Sequence, residues 1–420
     1  MITLDADILY KEPMAIGGAV NTHIIKTDKF KTAVCCVLIR RPLLRETASK
    51  NALLPGILRQ GCAKYPSIPK INGRMEELFG SVFDCQIVKK GEEQILQFYF
   101  EGVSREGNFI KGVEFLKELI LNPLIDSGGF KPDVAANAKN HLKNIIKGRM
   151  NNKAEYARVN CLAHICENEP FGAYADGYAE DLNDISAEDL YLHYKHILRT
   201  SPIELICAGN IDESELTAAV RGWDTTDRQR AIIPLARCFP ARPAVKYISE
   251  DFNSAQGKLC IGLRSDIPPA SGDFFGLLMM NEILGGGPGG KLFTKIRERE
   301  SLCYYINSTL YWFKSIMLIQ AGLASAHFER VVGLVNREIE EIRQECVTRD
   351  EWESAQQGLI AKFRSGQDYY SSILDFYAAR YLLNDRRSVE DFIRGVEAAS
   401  LSETAEAARR VEVDTVFMLK

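Results

Sequence analysis

Apolar positions along this chain recur with two different periods. Thr32 to Ile39 and Ile95 to Phe100 are nearly continuous apolar runs rich in β-branched and aromatic residues, and both predict strands. After them the period lengthens. Phe109, Val113, Leu116 and Ile120 recur at steps of four, three and four, which predicts one face of an amphipathic helix, ended by Asn122-Pro123. Val331, Val335, Ile339 and Ile342 trace a similar stripe, 222 positions further on. The strand-like run ending at Arg40 has a counterpart in Lys258 to Arg264, displaced by 224, and Ile57-Leu58 matches Ile283-Leu284 at an offset of 226. Offsets this similar across strand and helix predict a duplicated unit of about two hundred residues. The expected fold is therefore α+β, with two homologous halves, each a mainly antiparallel sheet with helices packed on one side. The halves are read as 1–222 and 246–420. Residues 223–245, with Pro234, Pro240 and Pro243 and no stable period, are read as the linker.

Composition narrows the class. Apolar residues are 46% and charged residues 26%, as in ordinary globular chains. The net charge of −4 supplies no global field toward nucleic acid or an anionic membrane, so neither is expected as a partner. Apolar stretches such as Phe274 to Met280 fall far short of the roughly 20 residues that span a bilayer. Asp5 and Asp7 stand where a signal peptide would be basic, which points to the cytoplasm. The 11 cysteines include no C-x-x-C pair and are expected as buried, reduced thiols.

Few residues advertise chemistry. Gly285-Gly286-Gly287-Pro288-Gly289-Gly290-Lys291 satisfies G-x-x-x-x-G-K, but it follows a helix-like run and continues with Leu292 in place of Ser or Thr, so the phosphate-loop context fails. The plainer reading is a helix stop and a flexible loop, with glycines admitting positive φ. The six histidines form neither H-x-x-E-H nor H-E-x-x-H. His193 and His196, and the group Cys161, His164 and Cys166, lack the spacing of a zinc module and are expected as core or helix-end residues.

Lys295-Ile296-Arg297-Glu298-Arg299-Glu300-Ser301-Leu302-Cys303-Tyr304, preceded by Leu284-Gly285-Gly286-Gly287 and Leu292-Phe293, resembles the C-terminal half of pitrilysin/insulinase-type metallopeptidases. In that family a glycine-rich turn leads to an R-x6-Y pair that faces substrate, and Arg297 and Tyr304 fall on it. Without the family, Arg297 reads as part of a solvated helix face. The resemblance covers nearly the whole chain, since the family is also built from duplicated α+β halves. Ser301 departs from the glycine common before the Leu-x-Tyr segment, and Tyr305 stands beside Tyr304.

The N-terminal half departs further. Active members carry H-x-x-E-H on a helix there, two histidines binding zinc and the glutamate activating water. Counting back from Gly61, that place is held by Ala52-Leu53-Leu54-Pro55-Gly56, so the resemblance implies a degenerate zinc site at Ala52, Pro55 and Gly56. The third ligand is a glutamate on a later helix, and Ala138 sits about where it is expected. Pro55 also disfavours a continuous helix. This combination is similar to a branch found in two-subunit bacterial peptidases, and Leu53-Leu54-Pro55, Tyr65-Pro66-Ser67 and Glu77-Leu78-Phe79-Gly80 resemble its YmfF-like members, which are named for association with aminopentanol modification of elongation factor P.

The resemblance implies a zinc-free, non-catalytic subunit of a two-subunit peptidase. It would supply Arg297, Tyr304 and the loop glycines Gly285, Gly286, Gly287, Gly289 and Gly290 to a peptide substrate, beside a homologous H-x-x-E-H subunit that alone holds zinc. The alternative is a scaffold or binding protein that keeps the fold and has no role in hydrolysis. On the first reading the pair is expected half-buried at neighbouring helix or turn positions, two turns apart on nearly one face, projecting into the cavity between the halves and not into bulk solvent, with the ring of Tyr304 packed.

Overall fold

The computed structural model describes residues 9–10, 14–16, 20–105, 107–221, 223, 231–252 and 256–420. Residues 224–230 of the expected linker, and Asp5 and Asp7, lie outside the described residues. The chain forms two units. The first takes Met1–Lys147, Ala173–Pro234 and Tyr370–Ala378, and the second Gly148–Gly172, Leu235–Tyr369 and Ala379–Lys420.

The first unit is built on β1 (Val20–Lys26), β2 (Thr32–Pro42), β3 (Val82–Lys90), β4 (Glu93–Val103) and β5 (Ile203–Gly209), in the order β1-β5-β2-β4-β3. Short strands Leu9–Tyr10 and Met14–Ile16 extend it beside β1. Among the described residues of this unit, only β1 and β5 pair in parallel. The second unit has β6 (Lys246–Glu250), β7 (Gly257–Ser265), β8 (Cys303–Tyr311), β9 (Ile316–Leu323) and β10 (Val411–Leu419), in the order β6-β10-β7-β9-β8, again with a single parallel pair, β6 with β10. Both sheets thus run first-fifth-second-fourth-third. The strand around Val34 and the strand around Ile261 hold the same place in each, as the repeat offset requires.

Alternate residues of β2, Ala33, Cys35, Val37 and Ile39, point into one core with side chains from α1 (Arg45–Leu58), α2 (Asn108–Leu121), α3 (Pro132–Gly148) and, after α4 (Lys153–Ile165) in the chain, α5 (Ala187–Thr200), joined by those of the shorter helices Ile68–Glu77 and Glu213–Arg221. A period of two thus meets a period of 3.6 across one apolar layer. Burial of Phe98, Phe100, Phe109 and Leu116 in it supplies roughly 1.5–3 kcal/mol per side chain before chain entropy is charged against it. Helix α1 runs unbroken through Pro55, against the expectation that this residue would interrupt it. The proline removes one amide, but its ring is buried, its carbonyl accepts from Arg59 N at 3.0 Å, and Leu53, Leu54, Ile57 and Leu58 around it are all buried.

Although α4 lies in the first half of the sequence, it belongs to the second unit, where Ala157, Cys161, Leu162 and Ile165 pack with Cys260, Ile316, Leu318 and Phe417. Gly262 lets it approach, because a Cβ there would stand 2.1 Å from Ile165 Cδ1. The carbonyls that end α4 are satisfied by arginines: His164 O and Ile165 O accept from Arg242 Nη2 at 3.0 and 3.3 Å, and Ile165 O accepts from Arg264 Nη2 at 2.6 Å. Among the described residues no helix is long and apolar enough to cross a membrane. All 11 cysteines are free, and burial holds for most of them, but Cys346 is exposed and Cys238 half-buried, since both lie in loops outside the sheet cores.

Candidate functional site

The place of the zinc motif is closed by packing. Ala52, Pro55 and Gly56 lie three and four residues apart on α1, hence on one face, and that face meets α3 at Ala138, which is 5% exposed. A Cβ on Gly56 would stand 3.2 Å from Ala138 Cβ. Zinc needs three or four N, O or S donors converging, and the side chains at these four positions present only hydrocarbon or hydrogen. The residues do not fit the ion.

Beside this contact lies a buried polar chain. His193 Nε2 on α5 meets Asn51 Oδ1 at 2.8 Å, Asn51 Nδ2 donates to Gln94 Oε1 at 2.7 Å, and Gln94 Nε2 donates to Ala48 O at 3.0 Å. Burial, helped by the nearby cations Arg41 and Lys50, pulls the His193 imidazole down to about 4. His193 is therefore a neutral structural residue. The group Cys161, His164 and Cys166 is likewise dispersed: Cys161 Sγ lies 3.8 Å from Cys260 O, Cys166 Sγ 3.4 Å from Arg264 Nη2, and the His164 ring stacks on Phe417. Among the described residues no three His, Cys, Asp or Glu side chains converge as a metal site.

In the second unit α6 (Phe274–Asn281) continues as a wider, π-type turn, Glu282–Gly286, and the following Leu292–Arg299 winds the same way. The glycine loop between them is tied down. Lys362 Nζ donates to both oxygens of Glu282 and to Gly286 O, each at 2.7 Å. None of these glycines takes positive φ, contrary to the reading from sequence; they serve close approach instead. A Cβ on Gly287 would stand 2.5 Å from Glu282 Oε1, one on Gly289 3.0 Å from Ser354 Oγ, and one on Gly290 2.8 Å from Gly285 Cα. Lys291, the lysine of the phosphate-loop pattern, is 1% exposed and paired with Glu341 at 3.2 Å and Glu351 at 3.1 Å, so it cannot reach a phosphate. Burial opposes the Glu341 charge, but hydrogen bonds from Lys295 and Lys291 outweigh it and pull that carboxyl down to about 2.

Arg297 sits in the last turn of Leu292–Arg299 with its side chain 40% exposed and its guanidinium 4.7 Å from the centroid of the Phe293 ring, one turn earlier. Tyr304 is not on that helix. It lies on β8, an edge strand, and the pairing with β9 shifts between Cys303 and Tyr305, so Tyr304 is the extra residue of a β-bulge. The Tyr304 side chain is 64% exposed, whereas Tyr305 is half-buried, in register with Asn307 and Thr309 and not with the buried Ile306, Ser308 and Leu310, and it packs on Gly322 with Lys258 Nζ 5.2 Å from its ring centroid. Burial pushes the Tyr305 hydroxyl up to about 12. The expectation of a packed Tyr304 ring on a shared helical face is thus corrected: Arg297 is half-buried as expected, Tyr304 is displayed on a strand, and its neighbour is the packed tyrosine. Between them Ser301 adopts φ +53°, the left-handed region where glycine is favoured, which accounts for the glycine usual at that position. The Phe293 contact went unread, although aromatic and cationic residues four apart on a helix are a signal for it.

The chain is similar to several known proteins. Residues 184–359 match the family model described as the peptidase M16 inactive domain. Over 409 residues the chain is 24% identical to the probable inactive metalloprotease YmfF of Bacillus subtilis, covering 96% of each protein. A conserved protein from Enterococcus faecalis superposes with a TM-score of 0.89 at 26% identity, over 97% of this chain and 98% of that one. A peptidase M16 inactive domain from Pseudomonas fluorescens gives 0.82 over 97% of each chain; at 17% identity it speaks for the fold alone. With a matching architecture and Ala52, Pro55 and Gly56 standing where a zinc motif is expected, the chain is similar to the inactive, zinc-motif-lacking members of the pitrilysin/insulinase-type (M16) metallopeptidases.

Proposed function

We propose that this chain is the zinc-free subunit of a two-subunit cytoplasmic peptidase, binding peptide and lending Arg297 and Tyr304 to the site of a homologous H-x-x-E-H subunit. The observation that carries this reading is the bulge at Tyr304. A tyrosine kept only for packing would be covered by its neighbours, as the half-buried Tyr305 is on Gly322, whereas Tyr304 is 64% exposed on an edge strand. Arg297, held flat against Phe293, adds a fixed positive charge in the preceding helix. A phenol and a guanidinium placed this way can donate to a peptide carbonyl and to the charge that develops on its oxygen, where one preorganised donor is worth about 3–4 kcal/mol. The backbone of Gly285, Gly286, Gly287, Gly289 and Gly290, held by Lys362, is assigned to the same peptide-binding surface. Zinc belongs to the partner alone.

Co-expression with an H-x-x-E-H homologue from the same source tests the reading. Sedimentation should give a heterodimer, and peptide hydrolysis should require both chains. A partner that hydrolyses peptide equally well without this chain would favour the scaffold reading instead.

A further inference from the structure

Helix α3 presents an outer face that the fold does not use. Its inner residues Ala135, Ala138 and Leu142 are buried in the first unit's core, which leaves Lys139, Lys143 and Lys147 at successive four-residue steps along one edge of the outer face. Asn137, Asn140 and Asn144 are exposed on the same side. Among the described residues none of these three lysines has an acidic partner, and none of the three amides has a hydrogen-bond partner. The only acid in α3 is Asp133, in its first turn, where it suits the helix dipole.

The pattern works against both charge balance and helix propensity. The chain as a whole carries −4, yet this one helix concentrates unpaired positive charge, and three asparagines in a helix interior are poor helix formers with nothing inside the protein to compensate them. We infer that the outer face of α3 is a docking surface for an acidic peptide segment in extended conformation. Lysines four apart on a helix stand about 6 Å apart along its axis. Side chains on one face of an extended peptide recur every ~6.8 Å. The mismatch over two steps is under ~2 Å, well within the reach of a lysine arm. Carboxylates at alternate peptide positions therefore meet successive lysines, and the asparagine amides donate to and accept from the peptide backbone between them. A single-stranded nucleic acid has a similar charge spacing, but its binding relies on aromatic stacking platforms, and α3 carries no Phe, Tyr or Trp and a single exposed imidazole, His141. This inference goes beyond the accessory-subunit reading and needs neither zinc nor a second subunit.

The test uses the full chain alone. A fluorescein-labelled ten-residue peptide with glutamate at alternate positions is titrated with protein and followed by anisotropy at 50 mM salt, beside the same peptide with glutamine and a labelled ten-nucleotide RNA. Binding of the glutamate peptide should weaken at least tenfold in the variant Lys139→Gln/Lys143→Gln/Lys147→Gln, whose urea midpoint should match the parent. It should weaken similarly for the glutamine peptide, and fall as salt rises. Unchanged affinity in the triple variant, equal binding of the glutamine peptide, RNA binding at least as tight, or no binding of the glutamate peptide would each overturn the inference. All leave the Arg297 and Tyr304 reading standing, because the variant does not touch that pair.

Discussion

Gly56 and Ala138 meet between two helices: a Cβ added to Gly56 comes within 3.2 Å of Ala138 Cβ, so α1 and α3 close on each other through the smallest residues available. The loss of zinc chemistry is therefore built into the packing of the core as well as into the ligand list. Restoring the lost side chains should not restore the site. Ala52→His/Pro55→Glu/Gly56→His should bind no stoichiometric zinc by isothermal titration, and Gly56→His alone should destabilise the fold by about 1–3 kcal/mol through overpacking, read as a lower urea midpoint. Tight 1:1 zinc binding by the triple variant would mean that α1 and α3 part readily.

The Glu282–Lys362 pair makes a second, separable prediction. The Glu282 side chain is 4% exposed and takes both its hydrogen bonds from Lys362 Nζ. Lys362→Met strands that carboxylate and should cost roughly 2–3 kcal/mol, less than the 3–5 typical of a fully buried pair because the lysine is half exposed. Adding Glu282→Gln should recover more than half of the loss in the urea midpoint. Equal destabilisation in the single and double variants would show that the latch contributes packing and not charge pairing.

Ser301 allows a prediction of opposite sign. Its φ of +53° is costly for any residue with a Cβ, so Ser301→Gly should raise stability by about 1 kcal/mol, seen as a rise in Tm. A drop would mean that the serine hydroxyl matters more than the backbone strain.

The depressed pKa of His193 predicts a pH dependence. In the unfolded chain the imidazole takes up its proton near 6.5, whereas in the folded chain burial holds it near 4. Between those values the unfolded state binds more protons, so the stabilisation present above pH 6.5 is lost progressively as pH falls toward 4. The difference in urea midpoint between the parent and His193→Gln should shrink across that window, since glutamine can still donate to Asn51 Oδ1 but does not titrate. A constant difference would exclude the histidine as its source.

Much of the fold was legible because it rests on periodicity. The strand at Thr32 to Ile39 appears as Thr32–Pro42, the helix through Phe109 and Ile120 as Asn108–Leu121, and the offset of about 224 reappears as one strand order in both sheets. What escaped the sequence depends on tertiary contacts. Nothing local marks α4 for the second unit, because its anchors, Arg242 and Arg264, lie 78 and 99 residues downstream of the carbonyls they bind. Pro55 was misread for the same reason: local propensity opposes the helix, and burial in a core assembled from distant strands overrides it. The spacing of Arg297 and Tyr304 suggested one helical face, while a single extra residue in β8 decides which of two adjacent tyrosines is exposed, and a bulge has no reliable signature in one sequence.

The account stands or falls on the outward tyrosine. In a complex of this chain with an H-x-x-E-H homologue, Tyr304→Phe removes one hydroxyl from an exposed ring and leaves the packed Tyr305 untouched, so assembly measured by sedimentation should be unchanged. The direct measurement is kcat for hydrolysis of a fluorogenic peptide by the parent and Tyr304→Phe complexes under saturating substrate. The account predicts a loss of about 10²-fold in kcat with little change in KM, as for removal of a donor used only in the transition state. A kcat equal to that of the parent complex would contradict it.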